Sequence, residues 1–352
     1  MSTITILGAG VMGSAMCLPA RDRGHEVRLV GTHLDRDIVD RIVANGHHPK
    51  LNVKLPDGVR GFHHEDFAAA VGSDTDLIIL GISSAGVPWA IDRLCETLKS
   101  PISVVMITKG MHPEDDRLTT LPDHVASEVK RRTGLDLAIA AVGGPCIAGE
   151  LAVRRHTGTV ITSRDIGLAE RLCAMLETDY YHPRVSEDVV GVEICAAFKN
   201  FFAISVGWAA GHLDKMEVTE NRAFNHNAAA VIFDQAIREL IVLVRSHGGT
   251  ESSVWGMPGA GDLYVTCQAG RNSRLGNNLG RGLTYRQTKD GPMKGDTIEG
   301  AELGLTVAST LRTMMAAGTL SAQALPLTLA LLDALVHDSP LDIPWNSMHR
   351  HT

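Results

Sequence analysis

The sequence predicts a two-domain α/β protein, with a doubly wound parallel sheet first and an all-α domain second. Three observations carry this. Over the first half of the chain, short apolar runs alternate with helix-like stretches, the pattern of parallel sheets with crossover helices. Glycine is abundant, 35 of 352 residues, and aromatics are scarce at 4%, which suits tight strand-to-helix turns. From about residue 189 strand signals almost vanish, and long alanine-rich apolar stretches replace them. The length exceeds one ordinary domain and fits two. Residues 1–188 are assigned to the first domain and 189–352 to the second.

In chain order, residues 3–7 (TITIL) read as a short buried strand, followed by a glycine-rich turn and a helix to about residue 23. Residues 25–30 (HEVRLV) give the second strand and 34–45 the next helix. Strands follow at 76–82, 103–108, 137–142 and 159–162, with a helix at 87–98. The right-handed crossover rule then leaves few topologies. In the second half, 189–213 reads as a buried helix because it is apolar all round. Helices are also expected at 227–247 and 298–317, and the end of the chain (NSMHRHT) is expected to fray.

Composition narrows the function classes. Apolar residues at 44% and charged residues at 21% are globular values. A net charge of −7 offers no general attraction for nucleic acid or anionic membrane, so an anionic ligand needs a local basic pocket. Six dispersed cysteines show no CxxC spacing and read as free thiols in a reducing, cytoplasmic setting. The start of the chain lacks the pattern of a signal peptide. No uninterrupted apolar run of span length is present, so no membrane span is expected. The paired histidines His47, His48, His63 and His64 read as loop residues, and no metal site is expected.

Gly8-Ala9-Gly10-Val11-Met12-Gly13 is a GxGxxG placed directly after a strand and opening a helix. In that context Gly8 permits the tight turn, Gly10 lets the backbone approach a pyrophosphate, and Gly13 lets helix and strand pack closely. The helix N-terminus favours the phosphate charge. The first domain is therefore expected to be Rossmann-type and to bind NAD or NADP. The second strand ends in Val30-Gly31-Thr32-His33, with no acidic residue until Asp35 to accept a ribose 2′-hydroxyl. His33 and Arg36 would instead approach a 2′-phosphate, so NADP is favoured.

Four further stretches bear on chemistry: Thr108-Lys109-Gly110, Gly144-Pro145-Cys146 running on to Ala148 and Glu150, Phe198-Lys199-Asn200, and Gly259-Ala260-Gly261-Asp262-Leu263 with Gly270-Arg271-Asn272. A lysine inside the apolar 194–206 stretch is expensive to bury unless it is paired or used. With Asp188 to Glu193 and Ile298-Glu299-Gly300, these stretches resemble the NAD(P)-dependent glycerol-3-phosphate dehydrogenase family over nearly the whole chain.

The resemblance implies hydride transfer between NAD(P)H and dihydroxyacetone phosphate, with Lys199 exchanging the proton at the substrate oxygen. It implies that Lys109 serves the same site, touching both substrate and cofactor, and that Asp262 orients Lys199 and binds a substrate hydroxyl. Arg271 and Asn272 would hold the phosphate, with Asn200, Thr266, Gly270, Gly144 and Cys146 around the substrate. The cofactor would meet Gly8, Gly10, Val11, Met12, Gly13, His33, Ser83, Lys109, Ala148, Arg271 and Glu299.

The chain departs from the family where Cys146 and Gly270 stand in place of serines and Ser83 in place of a proline. More room at 146 and 270 makes a phosphorylated polyol of four or five carbons a rival substrate. A catalytically weak nucleotide sensor is the reading from another class. A 3-hydroxyacid dehydrogenase would share the two-domain plan and the lysine but not the phosphate cradle. Trp208, Trp255 and the late helices offer apolar surface for a homodimer.

Overall fold

A computed structural model describes residues 1–215 and 223–348. Part of the unusual 214–226 segment and the terminal histidines His349 and His351 lie outside the described residues. The chain divides into two compact units. The first comprises Met1–Lys109 and Thr120–Val189, the second Gly110–Thr119 and Val190–Thr352.

The first unit is built on an eight-stranded sheet. Its strands are β1 (Thr3–Leu7), β2 (Glu26–Val30), β3 (Val59–Phe62), β4 (Thr75–Leu80), β5 (Ser103–Met106), β6 (Ala138–Gly143), β7 (Thr157–Ser163) and β8 (Tyr181–Ser186). They lie in the order β8-β7-β6-β5-β4-β1-β2-β3. From β3 to β6 this is the 3-2-1-4-5-6 order of a dinucleotide-binding fold. The β1 register runs Thr3↔Glu26 to Leu7↔Val30 on one side and Ile4↔Leu77 to Leu7↔Leu80 on the other.

Strand alternation feeds two cores. Ile4, Ile6, Leu77 and Ile79 face one layer of helices, whereas Leu7, Ile78 and Leu80 face the other. One layer holds Arg36–Asn45 and Ile166–Leu176, the other Val87–Thr97 and Leu121–Thr133. The last of these starts at Thr120, whose side chain accepts from Asp123 N–H, and stops at Gly134 in the left-handed conformation.

One expectation fails. The sheet is not wholly parallel, because β7 runs antiparallel to β6, with Ala140 opposite Ser163. Only the one-turn helix Ala148–Leu151 lies between them. At ~1.5 Å per residue it is far too short to carry the chain back along the sheet.

The second unit packs its helices around the long Val189–Leu213 helix. Its core joins Phe198, Phe201 and Phe202 to Ile237, Leu240, Val307 and Leu331. Val189–Leu213 is long and apolar enough to cross a membrane, but most of it is buried within the protein. Among the described residues no strand follows residue 188. The hairpin of Met111–Pro113 and Leu118–Thr120 precedes that point. Its Gly110–Thr119 stretch belongs to the second unit because Met111 and Leu118 are buried in that core. Thr310 Oγ1 also donates to the Glu114 carbonyl at 2.7 Å.

Candidate functional site

In the first unit the glycine motif is a piece of backbone engineering. Gly8 adopts φ +115°. A Cβ on it would lie 2.4 Å from the Gly81 carbonyl oxygen, and one on Gly13 would lie 2.1 Å from the Gly8 carbonyl oxygen. Neither position tolerates a side chain. Gly10 is different, because nothing lies within 4 Å of the place its Cβ would take. That open face sits at the start of the Val11–Ala15 helix, whose first amides have no side-chain cap. Backbone N–H groups beside open space suit the pyrophosphate of a dinucleotide, so these residues fit such a cofactor.

At the end of β2, Asp35 is 8% exposed. Its Oδ2 accepts from Thr32 N–H at 2.9 Å and from Thr32 Oγ1–H at 2.8 Å. The nearest carboxylate after the strand is thus consumed by its own turn. His33 is exposed and forms an edge-to-face cluster with His64 and Trp89, with ring centroids 6.2 to 6.5 Å apart. Arg36 pairs with Glu65 on the surface.

Ser83 is exposed just beyond β4. Thr108 ties the ends of β4 and β5 together, donating to the Ile82 carbonyl at 2.9 Å. It thereby fixes the strand exit that carries Lys109, which is half-buried. Gly144 takes φ +117° just after β6. Cys146 follows, partly buried, and Ala148 opens the one-turn helix.

The second unit gathers side chains. Lys199 is 7% exposed and Asp262 1%, and the two form an ion pair. Asp262 begins the helix Asp262–Gln268, where a carboxylate is favoured by the helix dipole. The turn before it is wide, because Gly261 N–H donates five residues back to the Gly256 carbonyl. Asp262 Oδ2 is buried and has no hydrogen-bond partner among the described residues. An orphaned buried acceptor costs about 1–3 kcal/mol. A hydroxyl brought by a ligand would satisfy it.

Arg271 and Asn272 open the helix Arg271–Gly280, and two pairs of glycines hold that helix against Val189–Leu213. A Cβ on Gly207 or Gly211 would lie 2.4 or 1.8 Å from the carbonyl oxygen of Ser273 or Asn277. One on Gly276 or Gly280 would lie 1.9 or 2.2 Å from that of Ile204 or Trp208. Backbone therefore touches backbone, and the crossing is fixed without side-chain slack. Arg271 pairs with Glu299 and its Nε donates to the Thr297 carbonyl at 2.5 Å. Both partners of that ion pair are nearly half exposed, so it is weak and exchangeable.

Asn272 Oδ1 accepts from Gly300 N–H at 2.9 Å, and no hydrogen bond from its amide NH2 is seen among the described residues. Gly300 itself packs where a Cβ would lie 2.3 Å from the Asn200 carbonyl oxygen. Gly270 holds φ +115°, which a serine would adopt only with strain. Thr266 donates its hydroxyl proton to the Asp262 carbonyl at 2.7 Å.

Some sequence expectations change. Trp208 offers no surface: it is 6% exposed, stacks on His212, and donates to the Leu341 carbonyl at 3.1 Å. Trp255 is exposed. His48, read as a loop histidine, is fully buried beside the glycine loop. The GxxxG spacing at 207–211 and 276–280 was the available signal for the helix crossing. Cys17 and Cys195 are buried, and the other four cysteines are partly buried.

Comparison with known proteins identifies the family. Residues 3–169 match the family described as NAD-dependent glycerol-3-phosphate dehydrogenase N-terminus, and residues 188–342 match its C-terminus. An NADP(+)-dependent glycerol-3-phosphate dehydrogenase of Archaeoglobus fulgidus is 36% identical over 82% of this chain and 82% of its own. A glycerol-3-phosphate dehydrogenase [NAD(P)+] of Bacillus pumilus is 28% identical over 97% of this chain and 92% of its own. The solved glycerol-3-phosphate dehydrogenase of Coxiella burnetii shares the fold, with a TM-score of 0.79 and 24% identity over 98% of this chain and 97% of that one. The chain belongs to the NAD-dependent glycerol-3-phosphate dehydrogenase family.

Proposed function

We propose that this protein interconverts dihydroxyacetone phosphate and sn-glycerol 3-phosphate with NAD(P)H. The observation that carries the reading is the buried Lys199–Asp262 pair with one carboxylate oxygen unclaimed. A buried charge pair is costly to keep, and a vacant acceptor beside an ammonium is what a hydroxyketone substrate requires. When bound, the cofactor supplies the hydride.

Lys199 holds the proton at the substrate's reacting oxygen and delivers it as the alcohol forms. Asp262 keeps the ammonium in place through Oδ1 and accepts a substrate hydroxyl at Oδ2. Lys109 adds positive charge to the substrate oxygens. Arg271, released from its exchangeable pair with Glu299, and the Asn272 amide take the phosphate. Asn200, Thr266, Gly270, Gly144 and Cys146 surround the substrate. Gly8 to Gly13, Ser83, Ala148 and Glu299 serve the cofactor. His33 and Arg36, with Asp35 engaged elsewhere, favour acceptance of a 2′-phosphate and hence of NADPH.

Six scattered cysteines without a CxxC spacing and the family's chemistry support a cytoplasmic setting. Exposed Trp255, with Leu305 and Val336 on the late helices, offers apolar surface for a homodimer, which sedimentation at several concentrations would reveal.

The test is a panel of three- to five-carbon ketose phosphates and an unphosphorylated 3-hydroxyacid, with both cofactors. Dihydroxyacetone phosphate with NADPH is expected to give the highest kcat/KM. A best substrate of four or five carbons would move the assignment to a longer phosphorylated polyol. Preference for an unphosphorylated 3-hydroxyacid would overturn it.

A further inference from the structure

The glycine loop of the first unit has a buried support that the proposed chemistry does not use. His48 is wholly buried in the short strand pair of His47–His48 and Val53–Lys54. Its Nδ1 lies 3.0 Å from Leu51 N and its Nε2 3.0 Å from the Ala9 carbonyl oxygen. An amide N–H can only donate and a carbonyl can only accept. The ring therefore accepts at Nδ1 and carries its proton at Nε2, the neutral tautomer. Burial also holds the imidazole below its ordinary protonation range. Ser14 Oγ gives the same Ala9 carbonyl a second donor at 3.2 Å.

The consequence is geometric. In a trans peptide the carbonyl and the following N–H point in opposite directions. Fixing the Ala9 carbonyl inward turns the Gly10 N–H outward, at the residue whose Cβ position meets nothing within 4 Å. No acceptor for that N–H exists among the described residues. We propose that His48 is a positioning residue that sets the direction of the Gly10 amide, and so the strength with which the loop holds a pyrophosphate. This rests on reading Gly8 to Gly13 as the pyrophosphate loop.

The test uses the full-length protein and three variants, with calorimetric binding of ADP and of adenosine 2′-monophosphate, which lacks the 5′-phosphates. His48→Leu keeps an apolar side chain in place but removes the donor. It is expected to weaken ADP binding about tenfold. Binding of adenosine 2′-monophosphate stays unchanged, and so does kcat at saturating NADPH while the NADPH KM rises. His48→Gln, whose amide reaches the same carbonyl, restores ADP binding. Equal weakening of both ligands would mean general loosening and would overturn the proposal, as would no weakening at all. If Gly10→Ala binds ADP as tightly as the wild type, the loop reading itself fails and takes this inference with it.

Discussion

Asp262 and Glu239 are both carboxylates shut inside the second unit, 1% and 0% exposed. Their surroundings are opposite. Glu239 accepts from Leu327 N–H, Thr328 N–H, Thr328 Oγ1–H and Gln235 Nε2–H, at 2.6 to 2.8 Å. It caps the first turn of the helix Pro326–Val336, and both of its oxygens are occupied. Asp262 pairs one oxygen with Lys199 and leaves the other without a partner. A buried carboxyl that holds a fold together has both oxygens saturated by the fold. One kept for a ligand is left unsaturated, and the fold bears the cost until the ligand arrives.

The sharpest way to break this contrast is to remove each carboxylate and measure both stability and rate. Asp262→Asn is expected to lower kcat by ~100- to 1,000-fold, with a melting temperature near that of the wild type. Glu239→Ala should do the reverse. Its orphaned amides cost about 3 kcal/mol of stability by urea denaturation, with kcat at saturation unchanged. If Asp262→Asn unfolds the protein and Glu239→Ala stops turnover, the contrast is inverted.

A smaller effect is expected at the exchangeable pair. Arg271→Ala should raise the KM for phosphorylated substrate roughly 10- to 30-fold with little change in kcat. Equal losses with an unphosphorylated substrate analogue would remove Arg271 from phosphate binding.

The smallest effect is the pH dependence that Glu239 contributes. Desolvation outweighs its donors and pushes its pKa from 4.5 up to about 7. The folded state then binds the proton more tightly than the unfolded state. The Glu239 contribution to stability is complete below pH 4.5, falls as pH rises, and is lost by about pH 7. The difference in urea midpoint between the wild type and Glu239→Gln should therefore change between pH 5 and pH 8. A constant difference would show that the carboxyl titrates alike in both states.

The two units also differ in how far the sequence disclosed them. The glycine loop was legible because glycine is demanded by backbone contact at Gly8 and Gly13, and that demand is written locally. The central strands β1, β2, β4, β5 and β6 were legible because both of their faces are buried and their apolar runs are continuous. The edge strands β3 and β8 were not, because Arg60 and Arg184 on them face solvent and break the pattern. The helices Leu121–Thr133 and Ile166–Leu176 passed unread although Thr120 and Asp165 cap them.

In the second unit, the cost of a lysine in an apolar helix marked Lys199 as special, and family resemblance supplied Asp262. No local rule told Asp262 from Glu239, since both are acidic residues in apolar surroundings and only their tertiary partners separate them. His48 was missed for the same reason. Its burial depends on the glycine loop it supports, some forty residues earlier in the chain.

The most direct measurement is the rate of NADPH oxidation by Lys199→Ala with dihydroxyacetone phosphate, with and without added methylamine, alongside the affinity for NADPH. The account predicts loss of most turnover, partial rescue by the free amine in the space left by the side chain, and unchanged cofactor affinity. An unaltered kcat in the variant would contradict it.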